Sequence, residues 1–156
     1  MTIPARVRNY IVEHHAMFDV FEHPLTMNSA QTAHAVHIPP ERLAKSVILE
    51  DDDGYLMAVL PANGRVHLGE LSRQTGRKLR LATETEIARI FDDCEPGAVP
   101  PVGPAYGLQT MIEESLLEQP DVYFEAGDHT EVIHMSAEQF VGLMAGVPHM
   151  HFVTSH

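Results

Sequence analysis

Two apolar, β-rich runs, Lys45-Ser46-Val47-Ile48-Leu49 and Tyr55 to Leu60, flank Asp51-Asp52-Asp53-Gly54. A polar turn closing on glycine between apolar runs is a strong hairpin signal, because tight antiparallel turns need backbone conformations that glycine adopts freely. Val122 to Glu125 and Val132 to Met135, joined across Gly127-Asp128, read as a second such pair. Hairpins place antiparallel neighbours in the sheet, and a doubly wound parallel fold does not. With helices interspersed irregularly among these strands, the chain reads as α+β (mixed α/β).

The helical signals are mostly caps. Ala5 to His15 carries Val7, Tyr10, Ile11 and a histidine, His14 or His15, on one side. Asn28 or Ser29 caps a short helix to Val36, and Leu68 to Thr75 stops at Gly76. Thr83 with Glu86, and Ser136 with Gln139, are capping-box spacings for helices running to Phe91 and to about Ala145. Phe18 to Glu22 alternates as a strand and ends at His23-Pro24, while Pro39-Pro40 starts a turn or short helix. Lys78 to Ala82 and Tyr106 to Ile112 complete the expected strands. After Gly146 no pattern is clear, so residues 1–146 read as one domain and 147–156 as a tail.

The 156 residues are enough to bury a core without staples. A single cysteine, Cys94, allows no intrachain disulfide and fits a reducing compartment. No stretch approaches the roughly 18 apolar residues of a membrane span. The N-terminus lacks the apolar core of a signal peptide, so the expectation is a cytoplasmic protein. A net charge of −12 argues against broad nucleic-acid binding and against DNA, yet it allows contact with one end of an RNA. Arg65, Arg73, Arg77, Lys78 and Arg80 are half of the 10 basic residues, packed against only Glu70. They read either as a solvated face or as a small phosphate-facing patch.

Few residues stand out chemically. Lys45 opens an apolar strand, where it can snorkel, anchor a phosphate or polarise a carbonyl. Gly97-Ala98-Val99-Pro100-Pro101-Val102-Gly103 is stiff in the middle and permissive at its ends. Such a loop either connects rigidly or holds backbone N–H groups for a carbonyl oxygen. Gly127-Asp128-His129-Thr130 reads as a tight turn whose histidine can contact substrate or exchange a proton. Of the 11 histidines, His149, His151 and His156 gather in the tail, but with one cysteine and no ordered element this is a poor metal set, and no metal or cofactor is expected. Asp92, Asp93 and Glu95 around Cys94 disfavour its thiolate. Phosphate-loop, dinucleotide, nucleophile-elbow and zinc-protease signatures do not occur.

In their order, these pieces resemble the YbaK/ProX/INS superfamily of editing domains, over roughly Phe18 to Ala145. The likeness rests on His23-Pro24-Leu25-Thr26, then Leu43-Ala44-Lys45-Ser46-Val47-Ile48-Leu49, then the Gly97 to Pro101 loop. It ends with Val122-Tyr123-Phe124-Glu125-Ala126-Gly127 leading to Ile133-His134-Met135-Ser136-Ala137-Glu138-Gln139-Phe140. It implies a mixed, partly barrel-like β-sheet flanked by helices. It also implies hydrolysis of the ester joining a wrong amino acid to a tRNA 3′ end, in trans. Lys45 would be the catalytic residue. Gly97, Ala98, Val99, Pro100, Pro101 and Gly103 would position the aminoacyl carbonyl. Gly127, Asp128, His129 and Thr26 would shape the amino-acid pocket.

The implied partners are the tRNA acceptor end and, with it, an aminoacyl-tRNA synthetase. The implied substrates are small residues such as Ala or Cys on tRNA-Pro. An aminoacyl ester is already activated, so oxyanion stabilisation suffices without a protein nucleophile, whether water or the adenosine 2′-hydroxyl attacks. A non-catalytic module binding tRNA, a nucleotide or a synthetase through the same cleft is the alternative, and the acidic surface speaks for it.

Overall fold

The computed structural model describes residues 3–26 and 28–154. Met1, Thr2 and His156, which enter the readings of the two termini, lie outside the described residues.

The chain runs α1 (Ala5–Glu13), β1 (Asp19–Glu22), α2 (Ser29–Ala35), β2 (Leu43–Asp51), β3 (Gly54–Pro61), β4 (Arg65–Val66), α3 (Leu68–Thr75) and β5 (Arg80–Leu81). It continues with α4 (Glu84–Ile90), β6 (Gln109–Glu113), β7 (Asp121–Glu125), β8 (Glu131–Ser136), α5 (Ala137–Leu143), β9 (His149–Met150) and β10 (Val153–Thr154). The caps act as their sequences predict. Asn28 accepts from the Gln31 amide, Thr83 and Glu86 close a full capping box, Ser136 accepts from the Gln139 amide, and Gly76 ends α3 in the left-handed conformation.

The strand order is β1-β8-β7-β2-β3-β6-β9, with β5 also on β2 and a separate β4–β10 pair. The β2–β3 hairpin turns at Asp51–Gly54, where the Asp51 carboxylate accepts from the amides of Asp53 and Gly54. The β1–β8, β7–β8 and β2–β5 pairs are antiparallel, whereas β2–β7, β3–β6 and β6–β9 are parallel. This is the mixed sheet flanked by helices that the hairpin signals called for.

Side-chain alternation along β2 and β3 builds two cores. Ala44, Ile48, Met57 and Val59 face α1, α5 and the loop before β6, packing with Val7, Ile11, Phe124 and Phe140. Leu49, Leu56, Ala58 and Leu60 face the other way, onto Leu71 of α3 and Phe152.

Two expectations are corrected. The strand over Tyr106–Ile112 begins only at Gln109, because Pro104 and Gly107 bracket a 3-10 turn at Gly103–Tyr106. The segment after Gly146 is not patternless. His149–Met150 pairs with β6, Val153–Thr154 pairs with β4, and Phe152 is buried. Two-residue strands carry too little periodicity to be seen in a sequence, and partners far away in the chain order them.

Candidate functional site

A gap in the sheet creates the site. On its outer edge β2 pairs with β7 only at Leu43 and Ala44, and with β5 only at Leu49 and Glu50. From Lys45 to Ile48 that edge has no strand beside it among the described residues. Ile48 sends its carbonyl outward to the Ala82 amide at 3.0 Å, and the antiparallel alternation turns the N–H and C=O of Ser46 the same way. Into the gap opens a cavity of about 310 Å³. Its wall takes in Lys45, Ser46, Ile87, Gly97, Val99 and Glu125.

Gly97 and Val99 of the Gly/Pro loop face this cavity, whereas Ala98, Pro100, Pro101, Val102 and Gly103 are buried behind them. The Ala98 amide is spent on the Glu95 carbonyl, and the Val99 carbonyl accepts from the Ser46 hydroxyl at 3.1 Å. The amides of Gly97 and Val99, the two loop residues on the cavity wall, have no protein acceptor among the described residues. Gly103 sits away from the cavity. A Cβ there would lie 1.9 Å from Thr110 Oγ1, so this glycine serves close packing against β6. A second cavity of about 520 Å³ shares Ile87, Gly97 and Val99 with the first and runs along α4 to Cys94.

The β7–β8 turn braces the loop from behind. The Glu95 amide donates to the Gly127 carbonyl at 2.7 Å, and the Gly127 amide donates to the Ala98 carbonyl at 3.1 Å. Gly127 has φ +98°, and a Cβ on it would lie 2.6 Å from the Pro4 ring, so only glycine fits. His129 Nε2 lies 2.6 Å from the Pro96 carbonyl and pins the start of the loop. Asp128 Oδ1 accepts from the amides of Thr130 and Glu131 and from the Thr130 hydroxyl, which closes the turn. Thr26 bonds to Thr32 at 2.7 Å and, through its amide, to the His129 carbonyl. Asp128, His129 and Thr26 are therefore gathered around the site, but they stand behind the cavity wall rather than on it.

Lys45 and the loop share the cavity without touching. The Lys45 amine donates to the Ala62 carbonyl at 3.1 Å, and its side chain shares a sheet face with Val47 and Leu60. Ser46, on the opposite face, makes the contact to the loop. Burial pushes the Lys45 amine below its usual range, and the nearby Arg65 adds to this. An anion arriving at Lys45 would relieve both effects. The rest of the basic cluster is largely neutralised. Arg73 pairs with Glu70, Arg77 with Asp51 at 2.7 Å, and Arg80 with Glu50 at 3.3 Å. Arg65 and Lys78 have no carboxylate partner among the described residues.

The Cys94 thiolate is disfavoured in this setting. Burial pushes its thiol up to about 12, with Asp93 adding to the shift and Tyr106 opposing it. Among the described residues no group of three or more His, Cys, Asp or Glu side chains is placed to hold a metal ion. No helix among them is long and apolar enough to cross a membrane.

Sequence reasoning singled out neither Ser46 nor Glu125. Glu125 ends β7 and is buried, and Thr32 donates to its Oε1 in a very short hydrogen bond. Burial pushes its carboxyl up to about 7, the Thr32 bond opposing this and Asp128 reinforcing it. The available signal was slight, an acid with an apolar residue on each side, Phe124-Glu125-Ala126.

The sheet is thus gapped along β2, and the glycine/proline loop and the lysine-bearing strand line one cavity at the gap. The chain belongs to the aminoacyl-tRNA editing domain family, which residues 23–143 match. Proline–tRNA ligase of Xylella fastidiosa (strain M12) is 35% identical over 77 residues, which are 49% of this chain and 14% of the ligase. The ligase of strain Temecula1 is 31% identical over 91 residues, 58% of this chain and 16% of the ligase. The chain thus spans only a small fraction of these relatives. A crystal structure of a protein proposed as a trans-editing enzyme for prolyl tRNA synthetase superposes with a TM-score of 0.81, at 25% identity over 96% of both chains. The crystal structure of hypothetical protein APE2540 shows the same fold, with a TM-score of 0.85 at 20% identity over 96% of this chain and 99% of that one.

Proposed function

We propose that this domain is a trans-editing deacylase that hydrolyses the ester of a small, wrongly attached amino acid on tRNA-Pro, Ala or Cys by preference. One observation carries the reading: the open edge of β2 brings Lys45, Ser46 and the unpaired amides of Gly97 and Val99 around a single cavity. An ester carbonyl seated against those amides is attacked by water, either directly or after the adenosine 2′-hydroxyl has taken over the acyl group, and the attacking water supplies the proton that the leaving oxygen takes. The charge that develops on its oxygen is met by the two N–H groups, each well-placed donor supplying about 2.7–4 kcal/mol. The leaving oxygen takes a proton, and the free amino acid and tRNA depart. Lys45, on the sheet face away from the loop, leaves the Ala62 carbonyl and reaches round the open edge of β2 to a phosphate of the acceptor end. The apolar walls, Ala44, Ile48, Ile87 and Val99, suit a short aliphatic side chain. The residues after Val99 and the Gly127 turn act by holding the loop rigid.

Deacylation of Ala-, Cys-, Ser- and Pro-charged tRNA-Pro tests this. Wild type is expected to clear at least one mischarged species, and Lys45→Ala to lose about 100-fold or more in kcat/KM, an effect of the size of one lost electrostatic group. Equal activity of the variant would remove Lys45 from the site. The net charge of −12 and the paired arginines favour a second reading, a binding module without turnover. Measurable tRNA binding with no clearance of any ester would select it.

A further inference from the structure

The buried polar atoms that lack a partner are not spread through the molecule. Among the described residues they are His23 Nε2, Glu125 Oε2, Asp128 Oδ2, His129 Nδ1 and, elsewhere, Arg42 Nε. Four of the five belong to the end of β1 and the β7–β8 turn. Leaving such an atom unpaired costs about 1–3 kcal/mol, so their concentration in one place needs a cause. Only one of the four residues, Glu125, reaches the wall of the cavity, and it is the only carboxylate there. Its Oε1 is held by Thr32, while Oε2 has no hydrogen-bond partner among the described residues and lies 3.8 Å from His23 Nε2, beyond hydrogen-bond distance and an ion pair only with that ring protonated.

An aminoacyl ester carries its α-ammonium on the carbon next to the carbonyl. A carbonyl held by the Gly97 and Val99 amides therefore keeps the ammonium inside the same cavity. The other walls are apolar, hydroxylic or cationic, and none of them can neutralise it. We propose, on the footing of the deacylase reading, that Glu125 is the anchor for the substrate α-ammonium, so that the site selects esters with a free amino group. Thr32 fixes one carboxylate oxygen and leaves the other to the ligand. Asp128 behind it deepens the negative potential. The arriving cation holds Glu125 ionised where burial alone would not.

The test is a cycle between enzyme and substrate. tRNA-Pro charged with Ala, Cys or Ser is compared with the same tRNA charged with the matching α-hydroxy acid, which replaces the ammonium by a neutral hydroxyl. Uncatalysed hydrolysis is subtracted throughout. Wild type is expected to prefer the amino ester by roughly 10- to 100-fold, mainly through KM, the span of one charge-assisted hydrogen bond. Glu125→Gln, which keeps the shape and the Thr32 contact, is expected to bring the two esters within about 3-fold. If the variant slows both esters equally, Glu125 serves the chemistry or the fold and the assignment fails. Wild type alone can overturn it by clearing both esters alike, whether or not the variant folds. A wild type that clears no ester removes the deacylase reading itself and the assignment with it.

Discussion

Glu113 and Glu125 are each the last residue of a five-residue strand, and both are buried, yet they are opposites. Glu113 accepts from the amides of Ser115 at 2.9 Å, Phe152 at 2.7 Å and Val153 at 3.1 Å, and His151 Nδ1 lies 2.9 Å away. Burial alone would push its carboxyl up, but these donors together pull it below the ordinary value. Glu125 has the Thr32 hydroxyl and a neighbouring Asp128, and it rises to about 7. Burial is common to both; the number of donors aimed at the charge decides the sign. A carboxylate surrounded by backbone amides is part of the scaffold. One left half-satisfied on a cavity wall is poised for something that arrives.

The largest expected effect breaks the first of the pair. Glu113→Ala leaves the amides of Phe152 and Val153 facing a void and frees the last strands, at a cost of about 4 kcal/mol. Glu125→Gln at pH 7 is expected to cost nothing or to stabilise, since wild type has by then lost most of what the protonated carboxyl contributes while the amide keeps it. Urea denaturation of both variants settles the contrast, and equal costs would abolish it.

The next effect is a slope. The Glu125 carboxyl has its folded value near 7 against an ordinary value of 4.5, so between these pH values the native chain keeps a proton that the unfolded chain has released. Stability from this group is full below about 4.5 and is lost as pH rises through 7. The span is on the order of 3 kcal/mol for the shift of Glu125 from 4.5 to about 7. Glu125→Gln should therefore gain on wild type by that order between pH 5 and pH 8 in denaturation curves. Glu113 has the opposite sign, its contribution being present above the ordinary carboxylate value and lost as pH falls through its depressed one. A wild type and Gln variant that track each other across pH would show that Glu125 ionises freely.

Neither glutamate was visible in the sequence, and the reason lies in how far each signal reaches. The hairpin at Asp51–Gly54, the Asn28 cap and the Thr83–Glu86 box are written within four residues, and each forms as its pattern requires. The Gly97 loop and the Gly127 turn were recognisable as pieces, and the fold zips them together through Glu95 and Ala98. Lys45 lines the cavity, but strand alternation puts its side chain on the sheet face away from Ser46 and the loop, with its amine on Ala62, a detail fixed by register with β3. Glu125 reads as an ordinary strand-end acid because its burial comes from His23 and Thr32, about a hundred residues earlier. The segment after Gly146 was opaque for the same reason. His149–Thr154 is ordered by β6, β4 and the Glu113 carboxylate, none of them local.

The smallest effect separates the two kinds of donor on Glu113. His151 touches the carboxylate, but its side chain is 72% exposed, so solvent screens the pair. The Glu113 hydrogen bond and charge raise the His151 ring above its ordinary value of 6.5. The stability it contributes is full below that value and fades as pH rises through the raised one. His151→Ala should therefore cost less than about 1 kcal/mol at pH 6 and nothing measurable at pH 9. Comparison of its urea midpoints at those two pH values with those of Glu113→Ala gives the decisive ratio. If His151→Ala matched Glu113→Ala, an ion pair rather than backbone amides would be holding the tail. The low value of Glu113 would then owe to one surface cation what the contrast with Glu125 assigns to three amides.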